Sequence, residues 1–290
     1  MPFHPLHDTL ITTLATNLPG PTAARRLVEL GARVIKVEPP GGDMLARFSP
    51  DWYQSLNAGQ EVLRLDLKSA EGRRRLDEIL READLLLTAT RPASLERLGL
   101  GWEALQARCP RLCQVAIVGY PQPDVERPGH DLSYQAGLGL VRPPHMPHIM
   151  VADLAGAEWA VSACLALLLD RQRRGPQAYG GYQEVSLYEA ARAFARPLPF
   201  GALEAEGPLG GGFAGYHLYQ AQDGWVAVAA LEPQFWTRLN QELGLDPSAN
   251  DPPALQRLFA EHPAEYWESW ALERDLPLAA VRGVDGEIVK

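Results

Sequence analysis

Three side chains able to move protons fall within one short run of this chain. They are His130, Asp131 and Asp153, in RPGHDLSYQAGLGLVRPPHMPHIMVAD over residues 127–153. The pattern places His130 and Asp131 at the mouth of a short helix, and Asp153 at the mouth of a long apolar one. Acid and base groups at helix N-termini are partly desolvated and feel the positive end of the dipole. Enzymes shift pKa values in such settings. Aspartate is also a favoured N-cap, so Asp131 and Asp153 each have a structural reading as caps. Two such residues plus an adjacent histidine within one loop–helix segment favour a site. His145 and His148 stand three apart in PPHMPH, but the flanking prolines favour a loop, and no metal site is expected. His217 reads as a half-buried strand residue, and Arg171, Arg173 and Arg174 as solvated cations closing the long helix.

Alternating strands and helices must position these groups. Residues 9–15 read as a strand, Pro19-Gly20-Pro21 as a turn, and 22–30 as an amphipathic helix ended by Gly31. Residues 33–38 (RVIKVE) form a second strand stopped by Pro39-Pro40-Gly41-Gly42. This is a βαβ unit whose crossover is right-handed. Its turn lacks G-x-G-x-x-G, which argues against a dinucleotide cofactor. Residues 62–67 are strand-like, 70–82 helical, 85–87 a buried strand, and SLERLGLGWEAL two short helices around Gly99 and Gly101. The strand at 113–120 delivers the chain to the Pro-rich loop before His130, where ligands of open parallel sheets bind. Residues 154–169 are a buried helix, too short to span a bilayer comfortably.

Past residue 180 the pattern gives one more strand (183–187) and a helix (188–196). The expected organisation is a large α/β domain over 1–196, a Gly/Pro-rich linker over 197–215, a small α+β domain over 216–275, and an exit segment over 276–290. The fold class is an open, Rossmann-like parallel sheet with helices on both faces, plus the smaller domain. The small domain is read as a hairpin about Asp223-Gly224, a helix opened by Pro233, and two further helices. The net charge of −9 argues against nucleic acid and anionic membrane surfaces as partners. Cys109, Cys113 and Cys164 show no metal spacing and fit a reduced, cytoplasmic setting.

GARVIKVEPPGGD, LDLKSAEGRRRL, RPASLERLGLGWEAL, RPGHDLSYQA and VADLAGAEW follow one another in the order and spacing of one family. The chain resembles the family III CoA-transferases, the CaiB/BaiF group, which also contains α-methylacyl-CoA racemase. GHD followed by tyrosine, with ALEPQFW at 230–236, looks like the racemase branch. The resemblance implies an acyl-CoA thioester substrate, with no permanently bound cofactor. It places His130 and Asp153 on the substrate α-carbon, with Glu232 supporting the histidine. In the transferases, the aspartate aligned with Asp131 attacks the thioester. The resemblance also implies a homodimer of two interlinked chains.

The α-proton of a thioester is acidified because the carbanion delocalises onto the thioester oxygen. Racemisation needs a base on one face of that carbon and an acid on the other, tasks suited to a near-neutral histidine and a desolvated carboxyl. Amides of Asp153-Leu154-Ala155-Gly156 offer donors for the enolate oxygen.

The chain departs from the family pattern at several points. Pro39 follows the strand-ending acid where many members carry a basic residue, and Ala58 and Gln60 occupy usual basic positions. Thr88-Ala89-Thr90 replaces the familiar run before Arg91-Pro92, and Ala93 replaces a usual glycine. Family members are typically longer, so the expectation is a chain shortened at the C-terminus. Arg47, Lys68, Arg91 and Arg97 remain as CoA phosphate or adenine contacts, or as solvated surface cations. Three readings stand: a racemase of 2-methylacyl-CoA thioesters, a CoA-transferase using Asp131, and a diverged, non-catalytic scaffold.

Overall fold

The computed structural model describes residues 3–290, which fall into two compact units, 3–195 and 196–290. In the first unit β1 (Leu10–Thr13), α1 (Pro19–Glu29) and β2 (Arg33–Glu38) open the chain, followed by α2 (Leu45–Phe48), α3 (Pro50–Asn57) and β3 (Glu61–Arg64). Next come α4 (Ala70–Glu82), β4 (Leu85–Thr88), α5 (Pro92–Arg97), α6 (Trp102–Arg108) and β5 (Cys113–Val118). The unit closes with α7 (Asp131–Gly137), α8 (Val151–Arg174), β6 (Tyr182–Ser186) and α9 (Leu187–Ala195). The strands form one parallel sheet in the order β3-β2-β1-β4-β5-β6. The doubly wound order turns back at β1 and β4, and such sheets open a ligand crevice at that switch.

Each face of the sheet carries a core. One packs Ile11, Leu85, Leu87, Val115 and Ile117 against α1 and α8, and the other packs Leu76, Leu80 and Leu105 against Leu86. Leu85, Leu86 and Leu87 are fully buried, and burying each side chain contributes about 2 kcal/mol. Strand and helix alternation therefore survives as read. Three local readings change. Pro19-Gly20-Pro21 is the first turn of α1 rather than a separate turn, because proline's missing N–H costs nothing there. The apolar helix extends over Val151–Arg174 and is not buried all round: Leu154, Trp159 and Leu169 are exposed while Ala152, Ala155, Ala157, Ala160 and Cys164 face the core. Small residues let this helix sit close to the sheet, and it alone among the described residues is long and apolar enough to cross a membrane. Arg171, read as a solvated cap, is only 11% exposed. It pairs with Asp84 at 2.6 Å and donates to the carbonyls of Asp84 and Arg111, tying the end of α8 to the starts of β4 and β5.

The second unit begins with a 3-10 turn at Leu198–Phe200 within the stretch read as a linker. It then forms β7 (Tyr216–Gln220), β8 (Trp225–Ala229), α10 (Pro233–Glu242), α11 (Pro252–Phe259) and α12 (Ala264–Leu272). The segment read as an extended exit supplies a third strand, β9 (Leu278–Ala280), antiparallel to β8. It satisfies backbone groups that the β7–β8 hairpin leaves open on the other edge of β8. Tyr219, Phe259 and Trp267 fill this unit's core.

Candidate active site

The carboxyl ends of β1, β4 and β5 open into a cavity of about 250 Å3. Thr16 and Asn17 follow β1, Ala89 and Arg91 follow β4, and Gly119 follows β5 in its wall; His130, Tyr134 and Asp153 complete it. The switch-point rule thus puts the crevice where the sequence puts the proton-moving groups. Asn17 holds φ +67°, a conformation that most side chains avoid. Its N–H donates to Asp43 Oδ1 at 3.1 Å. Asp43 is paired with Lys36 at 2.7 Å, and both are buried. A buried ion pair of this kind is expensive unless its remaining lone pairs are used, and Asp43 also accepts from Leu45 N–H. Pairing was not legible from sequence, although a lysine within the apolar run of β2 was its one signal.

Asp131 and Asp153 sit close but face different tasks. Asp131 is buried, and its Oδ1 accepts the N–H groups of Ala152 at 2.8 Å and Asp153 at 3.1 Å. Its Oδ2 accepts from Gln135 Nε2 at 2.5 Å. Asp131 is therefore a cap, but of α8 rather than of its own helix, whose N-cap is His130. The amides of Ala152 and Asp153 are occupied by Asp131, and that of Leu154 by Met150. The first turn of α8 is thus already committed, which corrects the expectation that it supplies donors to an enolate.

Asp153, third residue of α8, lines the cavity, and its carboxyl makes no hydrogen bond among those of the described residues. Burial, and then the charge of Asp131, push its pKa from 3.8 up to about 7. Near neutrality it is part acid and part base. His130 is exposed at the head of α7, and its N–H donates to Ser133 Oγ at 3.0 Å, fixing the loop end. Sequence reasoning missed Tyr134 as a functional group, although its place after GHD was the available signal. Its ring lies against Gly119 and Gly129, where a Cβ would fall within 3 Å of it, so both positions need glycine. Burial, with Tyr120 beside it, pushes the Tyr134 hydroxyl up to about 12. It is a neutral O–H in the cavity wall.

Glu232 lies in the second unit, exposed, as the residue before α10. The four basic candidates separate. Arg91 lines the cavity with His130 and Asp153. Lys68 lines another cavity, of about 490 Å3, with Pro39 and Pro40 beyond β2; Thr16 borders both. Arg97 is exposed and donates to Ser94 Oγ, and Arg47 is exposed on α2. If CoA runs along this border, Lys68→Ala should raise the CoA Kd about three- to tenfold, with a weaker salt dependence, and Arg97→Ala should leave it unchanged. Calorimetric titration at two salt concentrations checks both.

Comparison with known proteins matches the model for CoA-transferase family III over residues 6–289. The chain is 30% identical over 289 residues to a succinyl-CoA–D-citramalate CoA-transferase of Chloroflexus aurantiacus, covering 91% of this chain and 71% of that protein. It is 31% identical over 294 residues to the human α-methylacyl-CoA racemase, covering 90% and 72%. The crystal structure of a hypothetical protein from Mycobacterium tuberculosis superposes with a TM-score of 0.84 at 25% identity, over 97% of this chain and 86% of that one. With transferases and a racemase at similar distance, and a match over nearly its whole length, this chain belongs to CoA-transferase family III and is an enzyme of acyl-CoA thioesters.

Proposed function

We propose that the chain racemises 2-methylacyl-CoA thioesters by exchange of the α-proton between two groups. One observation carries this reading: His130 and Asp153 line a common cavity, while both oxygens of Asp131 are engaged in holding α8 and Gln135. A carboxylate with its lone pairs so used is a poor nucleophile, since attack on a thioester would strip the cap from α8.

In the forward direction one group takes the α-proton. The C–H electron pair moves onto the thioester oxygen as an enolate, and the other group returns a proton to the opposite face. An acid near its own pKa gives and takes protons with little cost, which suits Asp153 at about 7. The neutral hydroxyl of Tyr134 is the donor assigned to the enolate oxygen. The active assembly is a homodimer.

The test uses the wild-type enzyme in D2O with an enantiomerically pure 2-methylacyl-CoA and no acid acceptor. Deuterium should enter the α-position as racemisation proceeds, and hydroxylamine should trap no adduct at Asp131. Acceptor-dependent CoA transfer with trapping at Asp131, and no exchange without acceptor, would replace this reading by the transferase. Neither activity, with no CoA binding, would leave only the scaffold.

A further inference from the structure

The cavity around His130 carries more positive charge than proton exchange at an α-carbon uses. Arg91, in the loop after β4, and Arg127, in the loop before α7, both line it. Glu126 Oε1 accepts the Ala93 N–H at 2.9 Å and so ties these two loops to each other. On α1 the exposed Arg25 and Arg26 share Glu29, and on α4 Arg75 pairs with Glu78, as helix-surface arginines often do. The guanidiniums of Arg91 and Arg127 have neither an ion pair nor a hydrogen bond among the described residues. Asp153 is the one carboxylate among the described lining residues, and near neutrality it is only partly ionised.

Arg127 is also held in place. Its Cζ lies 4.4 Å from the centroid of the Tyr120 ring, which is buried and meets Tyr134 edge-on at 5.1 Å. Stacking uses the flat face of a guanidinium and leaves its N–H edge for a planar acceptor with two oxygens. Size narrows the occupant further. At about 250 Å3 the cavity is smaller than the sites that enclose drug-sized ligands. It suits an acyl chain of a few carbons rather than a long alkyl tail. The pantetheine arm of CoA keeps its phosphates far from the thioester carbon. An anion that shares this cavity with His130 and Asp153 therefore belongs to the acyl group.

We propose that the acyl group accepted here is short and ends in a carboxylate held by Arg127 and Arg91. The substrate is then the CoA monothioester of a 2-methyl dicarboxylic acid. This rests on the reading of the cavity as the seat of a 2-methylacyl-CoA, and it names which members of that class bind. Walls on several sides lower the effective dielectric, so the pairing gains more than it would on an open surface.

Calorimetric titration of the full chain with two inert CoA thioethers, S-(3-carboxy-2-methylpropyl)-CoA and S-(2-methylbutyl)-CoA, tests it. They differ only in a carboxylate for a terminal methyl. Neither can racemise or transfer, so failure of the racemase reading leaves this test intact. The carboxylated thioether should bind about tenfold more tightly than the alkyl one. Arg127→Gln and Arg91→Gln should each cut that preference about three- to fivefold, while the Kd of the alkyl thioether moves less than about twofold. Arg127→Lys, which keeps the charge, should retain more of the preference than Arg127→Gln. Equal affinity for the two thioethers in the wild-type chain would overturn the proposal, as would a preference that survives both glutamine substitutions. Variants that weaken both thioethers and free CoA alike would overturn it too, since the arginines would then grip the phosphates of CoA.

Discussion

Replacing Asp153 by Asn is expected to lower racemisation about 10²- to 10⁴-fold while leaving α-proton exchange intact for one enantiomer only. The amide can neither take nor return a proton on its face of the α-carbon. His130 still can, so the enantiomer presenting its C–H to His130 should exchange deuterium with retention, and its mirror image should stay unlabelled. His130→Ala should give the reverse preference, because with the imidazole gone no group remains at bonding distance on that side. Mass spectrometry combined with chiral separation of the recovered acyl groups reads both outcomes. Equal loss of exchange from both enantiomers in either variant would mean a single base serves both faces, and the two-group assignment would be abandoned.

The same Asp153→Asn substitution should make the protein more stable above neutrality. Asp153 titrates at about 7 in the folded chain against an ordinary 3.8, because burial and the Asp131 charge disfavour its ionised form. The sign follows from proton counting. Between those two values the folded state holds a proton that the unfolded state has lost, so the contribution of Asp153 to stability is greatest below about pH 3.8 and falls as pH rises toward about 7. At about 1.4 kcal/mol per pH unit, the loss accumulated across that window is roughly 4 kcal/mol. The substituted amide carries no such charge, and the native carboxyl has no hydrogen bond to forfeit among the described residues. The variant should therefore exceed wild type by up to about 4 kcal/mol at pH 8, with the difference shrinking toward pH 4. Urea unfolding at both pH values measures this, and a pH-independent difference would show that Asp153 does not titrate in that range. A destabilising acid at a cavity wall is the trade between stability and activity common at functional sites.

Much of the fold was written locally. RVIKVE, the Leu85–Thr88 run and CQVAIV became β2, β4 and β5 because continuous apolar stretches of strand length suit a sheet covered on both faces. The helix at Ala70–Glu82 was legible from the spacing of Leu76, Ile79 and Leu80. Less visible were α2 and α3, short helices with little periodicity of their own, held where Asp43 and Glu38 bind Lys36 and Tyr53. The third strand β9 was also hidden, since an isolated extended segment does not state which sheet edge it will join.

For the site, the sequence by itself determined the inventory: a histidine and two aspartates at the heads of two helices beyond a sheet strand. It did not determine which aspartate would face the cavity. That depended on how closely α7 approaches α8, because the amides that Asp131 caps lie 21 and 22 residues further along the chain. Once those amides take Asp131 into the interior, its charge is fixed beside Asp153, and burial does the rest. A pKa of about 7 is therefore a property of the packed pair rather than of either residue, which is why only the tertiary structure could assign the acid.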